Sequence, residues 1–133
     1  MGLIAGACGG APTDDDGEPL AATVDAREGD TFRLPVGGMA RVGRDGLLIA
    51  FRGVSTESRC PTDVTCVWEG DAAVRLNVTV GRMAWRPIDL HTGIDPRSIE
   101  FQGHAIRLVS LEPSPTSDEP IDPARYVATL RVD

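Results

Sequence analysis

The chain has 133 residues, enough for one domain around a single hydrophobic core and too few for two. All 13 basic residues are arginine, which excludes a catalytic lysine as Schiff-base former or general base. The net charge of −7 is uneven: Asp14, Asp15, Asp16 and Glu18 carry −4 with no basic residue among the first 22, leaving −3 on the rest, so a basic face for nucleic acid or anionic membrane is not expected.

Residues 1–8 read Met-Gly-Leu-Ile-Ala-Gly-Ala-Cys. Small residues directly before Cys8 resemble the end of a bacterial lipoprotein signal, in which a diacylglycerol is attached to the cysteine after cleavage. Ala5 stands where leucine is usual and no charged segment precedes it; a start codon placed too late accounts for both. The cysteine count agrees, because pairing two of the three leaves Cys8 over. No stretch approaches the roughly 20 apolar residues needed to span a bilayer, so lipid at Cys8 is the only membrane attachment expected. Residues 9–19 are polar and acidic and read as a flexible tether. The acidic run lacks the alternating oxygen ligands and glycine of an EF-hand loop, which leaves a solvated spacer rather than a calcium site.

Residues 20–133 read as one folded domain. Leu20–Glu28 is ambiguous: Ala22, Val24 and Ala26 alternate as in a strand, while Leu20 and Val24 are spaced as on a helix, and a weak strand is expected. Phe32, Leu34 and Val36 alternate clearly, and Pro35 places that strand at a sheet edge. Gly37-Gly38 turns into Met39–Val42, and Arg44-Asp45-Gly46 reads as a hairpin turn into a more continuously apolar, central strand, Leu47–Val54. Val74, Leu76, Val78 and Val80 face one way in the most amphipathic strand of the chain. Gly81-Arg82 reads as a two-residue turn into Met83–Leu90, with Trp85 covering the core edge. His91–Arg97 is a loop. Ser98–Phe101 and His104–Leu111 form a hairpin around Gln102-Gly103. Glu112–Pro123, with four prolines and four acidic residues, is a stiff connection to a closing strand, Tyr126–Val132. About eight short strands without helical crossovers predict an all-β, single-domain antiparallel β-sandwich.

Between two of these strands lies Ser58-Arg-Cys60-Pro-Thr-Asp-Val-Thr-Cys66-Val-Trp68-Glu-Gly70, rich in turn residues. A Pro-initiated turn brings Cys60 and Cys66 close enough for a cystine. The other readings are half of a zinc site, for which Cys8, His91 and His104 stand at no familiar ligand spacing, or free thiols. So short a ring stabilises by about 2 kcal/mol, which makes it a local clamp. Trp68 is expected to pack on the cystine or the sheet, with a ligand platform as the other reading. Gly70 is expected to serve a turn or bulge, and Arg59 is kept with Trp68 as a packing or binding residue.

The run Ser58-Arg-Cys-Pro, followed by Cys66-Val-Trp-Glu-Gly-Asp-Ala, resembles a motif of small bacterial lipoproteins whose usual form is Asp-Ser-Arg-Cys-Pro, then Cys-Val-Trp-Ala-Gly. Glu57 and Glu69 replace Asp and Ala, and neither disturbs a cystine. The resemblance implies export and a β fold. It brings no activity and no catalytic residue.

Catalytic constellations are missing from the sequence. No Gly-x-Ser-x-Gly turn offers an activated serine. Glu69 and Asp71 would share one side of a strand, as glycosidase acids can, but read as a solvated strand entrance. His91 and His104 flank one strand and make an incomplete metal set, so two surface histidines are expected and no metal or cofactor is implied. The expected function is a non-catalytic cell-envelope lipoprotein domain, exported and monomeric, that binds or scaffolds an envelope protein or component. The alternative is a protease-inhibitor-like module presenting loop 60–66, which requires that loop to protrude.

Overall fold

The computed structural model describes residues 23–133; Cys8, the signal-like segment 1–8 and the tether 9–19 lie outside them. Among the described residues there are nine strands: β1 (Thr23–Ala26), β2 (Thr31–Pro35), β3 (Met39–Val42), β4 (Leu47–Glu57), β5 (Ala72–Val80), β6 (Arg86–His91), β7 (Ser98–Phe101), β8 (His104–Glu112) and β9 (Val127–Val132). Among the described residues a 3-10 turn, Pro123–Arg125, precedes β9. The strands form two sheets, in the orders β1-β3-β4-β5-β6 and β2-β9-β8-β7. The architecture is the expected all-β sandwich.

Period-two patterning decides which side chains meet between the sheets. Phe32 and Leu34 of β2, Leu47, Ile49 and Phe51 of β4, and Val74, Leu76 and Val78 of β5 are all buried. Ile106 and Leu108 of β8 and Ala128, Leu130 and Val132 of β9, which share a sheet with β2, join them in one cluster. Each such Leu, Ile, Val or Phe contributes about 1.5–3 kcal/mol on burial, so these alternating positions supply the driving force for the two-layer arrangement.

The structure departs from the expected pattern in two places. The weak first strand is β1, and it pairs parallel to β3, from Thr23↔Met39 to Ala26↔Val42, so its sheet is mixed. The chain leaves β1 for β2 in the other sheet and returns as β3 beside β1 in the same direction. The second departure follows β5. The expected turn forms at Gly81-Arg82, where the Met83 amide donates to the Val80 carbonyl at 3.1 Å, but it does not lead directly into the next strand: the Thr79 hydroxyl donates to the Met83 carbonyl at 2.6 Å, and β6 begins only at Arg86. Trp85 is left in that connection, 45 % exposed, and does not close the core.

β4 and β8 are long strands bent by bulges, between Phe51/Gly53 and Val54/Thr56 in β4 and between Leu108/Ser110 in β8. A bulge increases local twist and re-aims the side chains beyond it. In β4 those residues include Glu57, where the candidate site starts. Phe51→Ala should lower unfolding free energy by about 3–5 kcal/mol in urea titrations, because the ring is 1 % exposed, whereas Trp85→Ala should stay within about 0.5 kcal/mol of wild type.

Candidate functional site

β4 ends at Glu57 and β5 begins at Ala72, and residues 58–71 between them form the loop that carries the cystine. Cys60 and Cys66 are disulfide-bonded, with Cα atoms 6.0 Å apart. The β4–β5 pairing continues in irregular form into the loop. The Ser58 amide donates to the Asp71 carbonyl at 2.7 Å, and the Cys60 amide donates to the Glu69 carbonyl at 2.8 Å.

Arg59 ties this loop to the opposite sheet. Its Nε and Nη2 donate to Oε2 and Oε1 of Glu57 at 2.9 and 2.6 Å. Its Nη1 and Nη2 also donate to the carbonyls of Leu111 and Pro113, both at 2.9 Å. The Arg59 side chain is 13 % exposed and that of Glu57 25 %. Tyr126, next to β9, donates its hydroxyl to Glu57 Oε1 at 2.9 Å. Burial alone would raise the pKa of Glu57, but hydrogen bonds from the Arg59 guanidinium and amide and from Tyr126 outweigh it and hold the carboxyl below its ordinary value. Tyr126 is pushed up to about 12, by burial first and then by the adjacent Glu57 carboxylate.

Two further ties fix the loop. The Thr62 amide donates to the Pro115 carbonyl at 2.9 Å, and Asp63 accepts from the amide and hydroxyl of Ser117. The hydroxyl and then the amide of Ser117 lower the Asp63 pKa. On the other flank Asp71, 6 % exposed, accepts from the Gly93 amide at 2.8 Å and contacts His91 Nδ1 at 2.7 Å. Burial would raise Asp71, but the His91 and Gly93 hydrogen bonds together bring it below its usual range. Gly70 sits at φ +77°, and a Cβ there would run into the Ser58 carbonyl; a Cβ on Gly93 would run into the Gly70 carbonyl. Three backbone segments therefore lie against one another with no room for a methyl group.

Several expected side-chain roles change. Trp68 is not buried as a core residue would be: it is 56 % exposed, and Val67 beside it is fully exposed. The physical reason is that Trp68 lies outside the strands, in a loop whose path is set by main-chain bonds from Cys60 to Glu69 and from Ser58 to Asp71. Glu69 and Asp71 do not form a carboxylate pair. The side chain of Glu69 is 68 % exposed and 3.7 Å from Arg97, whereas Asp71 is buried against His91. His91 and His104 lie in different sheets with separate carboxylate partners, and His104 is buried at 4 % exposure and is no surface histidine. The partners of Arg59 at 111 and 113 are main-chain carbonyls, so no residue type signals them; only the neighbouring Glu57 does.

Large apolar side chains are among the exposed ones at this end. Val64 and Ile94, each 45 % exposed, stand at the same end as Val67 and Trp68. A recess of about 210 Å³ behind the cystine is lined by Arg59, Cys60, Thr62, Glu69, Gly70, Thr92, Ser114 and Pro115. Chemically this is an exposed loop carrying large apolar side chains on a base held by hydrogen bonds. No protein-family model, curated protein or solved structure matches the chain.

Arg59→Lys should cost about 2–3 kcal/mol in chemical denaturation, because an ammonium cannot reproduce the fork to Glu57 and both carbonyls. Trp68→Ala should leave stability within about 0.5 kcal/mol of wild type. Tyr126 is the single tyrosine, so tyrosinate absorbance should show a midpoint near pH 12 in the folded protein and near the ordinary 10.0 in urea. Since the folded-state pKa is the higher one, the stability linked to this proton is present below pH 10 and is lost as pH rises toward 12.

Proposed function

We propose that this chain is a non-catalytic binding domain of the bacterial cell envelope, exported, monomeric and held to a membrane through lipid at Cys8. It docks on an envelope protein through the apolar tip of the cystine loop. The observation that carries this reading is the outward placement of Val67 and Trp68 on a loop immobilised by the Cys60–Cys66 bridge and the Arg59 clamp. A large rigid aromatic offers much contact area at low ordering cost, and tryptophan is the residue type most enriched among interface hot spots. A cystine suits an oxidising compartment outside the cytosol, which agrees with the export implied by the signal-like residues before Cys8.

A second reading, the protease-inhibitor-like module, draws on the exposure of Val64 and Val67 around Cys66, since an inhibitory loop has to protrude and be pre-organised. Against it, Thr62 and Asp63 are bonded back onto residues 115–117, which leaves little extended backbone free to enter a cleft.

Immobilised wild-type protein should retain a partner from envelope extracts that crosslinks to a photoreactive group at position 67. Trp68→Ala should lose that partner while melting at the wild-type temperature. Equal retention by both proteins would refute docking through the tip, and nanomolar inhibition in a protease panel would replace it with the second reading.

A further inference from the structure

At the end of the sandwich opposite the cystine loop, three turns meet around His104. This residue opens β8; Glu28 lies in the turn after β1, and Asp45 in the turn between β3 and β4. Nδ1 of His104 is 2.9 Å from Glu28 Oε2, and Nε2 is 3.1 Å from Asp45 Oδ2. A neutral imidazole carries a single ring hydrogen. Flanked by two carboxylates, it therefore sets one nitrogen lone pair against a carboxylate oxygen. With His104 only 4 % exposed, water does little to relieve that repulsion, and a positive charge placed between the two groups does.

We propose that His104 Nε2 and the Asp45 carboxylate bind one divalent transition-metal ion of the zinc class, with Glu28 orienting the ring through Nδ1. Ligand bonds of about 2.0–2.2 Å place neighbouring donors roughly 3.0–3.5 Å apart around such an ion, and Nε2 and Asp45 Oδ2 already stand 3.1 Å apart. A carboxylate on the second ring nitrogen is the usual way a metal-binding histidine is fixed in tautomer and orientation. Donor atoms of all three residues lie within 4.8 Å of one another. Glu28 and Asp45 line an open cleft of about 530 Å³, through which an ion can enter and water can complete its coordination. Arg27 and Arg44 line the same cleft and offset its acidic charge. Binding must then come from nitrogen ligation more than from charge, which selects zinc-like ions over magnesium and calcium. The ion would join turns from both sheets, independently of the cystine loop.

The test is calorimetric titration of Zn²⁺ and Mg²⁺ into chelator-treated full-length protein, with thermal unfolding alongside. One zinc site is expected, with no response to Mg²⁺ and a melting temperature that rises with bound zinc. Affinity should fall at least about tenfold in Asp45→Asn, His104→Gln and Glu28→Gln, and should be unchanged in His91→Gln. Since His104→Gln alters a buried position, Asp45→Asn decides the matter: its side chain is 60 % exposed and its replacement leaves the fold intact. Equal zinc affinity in wild type and Asp45→Asn overturns the proposal. So does loss of zinc binding in His91→Gln, which would place the ion beside Asp71. A melting temperature that ignores zinc but rises on acidification would also overturn it, by showing that a second ring proton fills the role.

Discussion

A guanidinium largely withdrawn from water has to find acceptors for its donors, and at Arg59 that requirement organises one whole end of the molecule. Its acceptors are the Glu57 carboxylate at the end of one sheet and the Leu111 and Pro113 carbonyls at the end of the other. Removing any of them would leave a partly buried charge short of partners, which costs more than the intact pair contributes. The planar fork also fixes direction as well as distance, so the loop root holds one orientation relative to both layers.

Around this clamp the backbone itself is interlocked. Ser58 bonds to Asp71, Asp71 accepts from Gly93, and the glycines at 70 and 93 let three segments approach more closely than any side chain would allow. The cystine closes only a short ring, and its effect is to shape the tip above this base. The loop end is therefore better described as an extension of the sandwich than as a mobile connection, and Val67 and Trp68 inherit its rigidity.

Much of the fold was legible in the sequence because period-two burial is a local signal. Phe32 and Leu34, Val74 to Val78, and Ala128 to Val132 announce their strands residue by residue, and Gln102-Gly103 marks its hairpin, with φ +51° and +83° in the structure. The parallel pairing of β1 with β3 was not legible, since four alternating residues say nothing about which sheet a strand joins. Trp68 and Trp85 misled for a shared reason. Their size argues for burial, but both lie in irregular segments whose paths are set by main-chain hydrogen bonds. Arg59 and His104 find their partners across 52–54 and 59–76 positions of sequence, and spacing along the chain carries no trace of such encounters.

The margins of the two sheets bear on how such a molecule can be recognised. Among the described residues β1 and β7 are four residues long, β2 carries Pro35 and β6 carries Pro87, so each outer strand described is either very short or lacks a main-chain donor. Edges of this kind are poor templates for strand donation. A partner that tried to lengthen either layer by β-augmentation would find a truncated hydrogen-bonding ladder, and would bury little in doing so. Neighbours must engage this protein by gripping side chains, and self-association into extended sheets is discouraged by the same blunt borders.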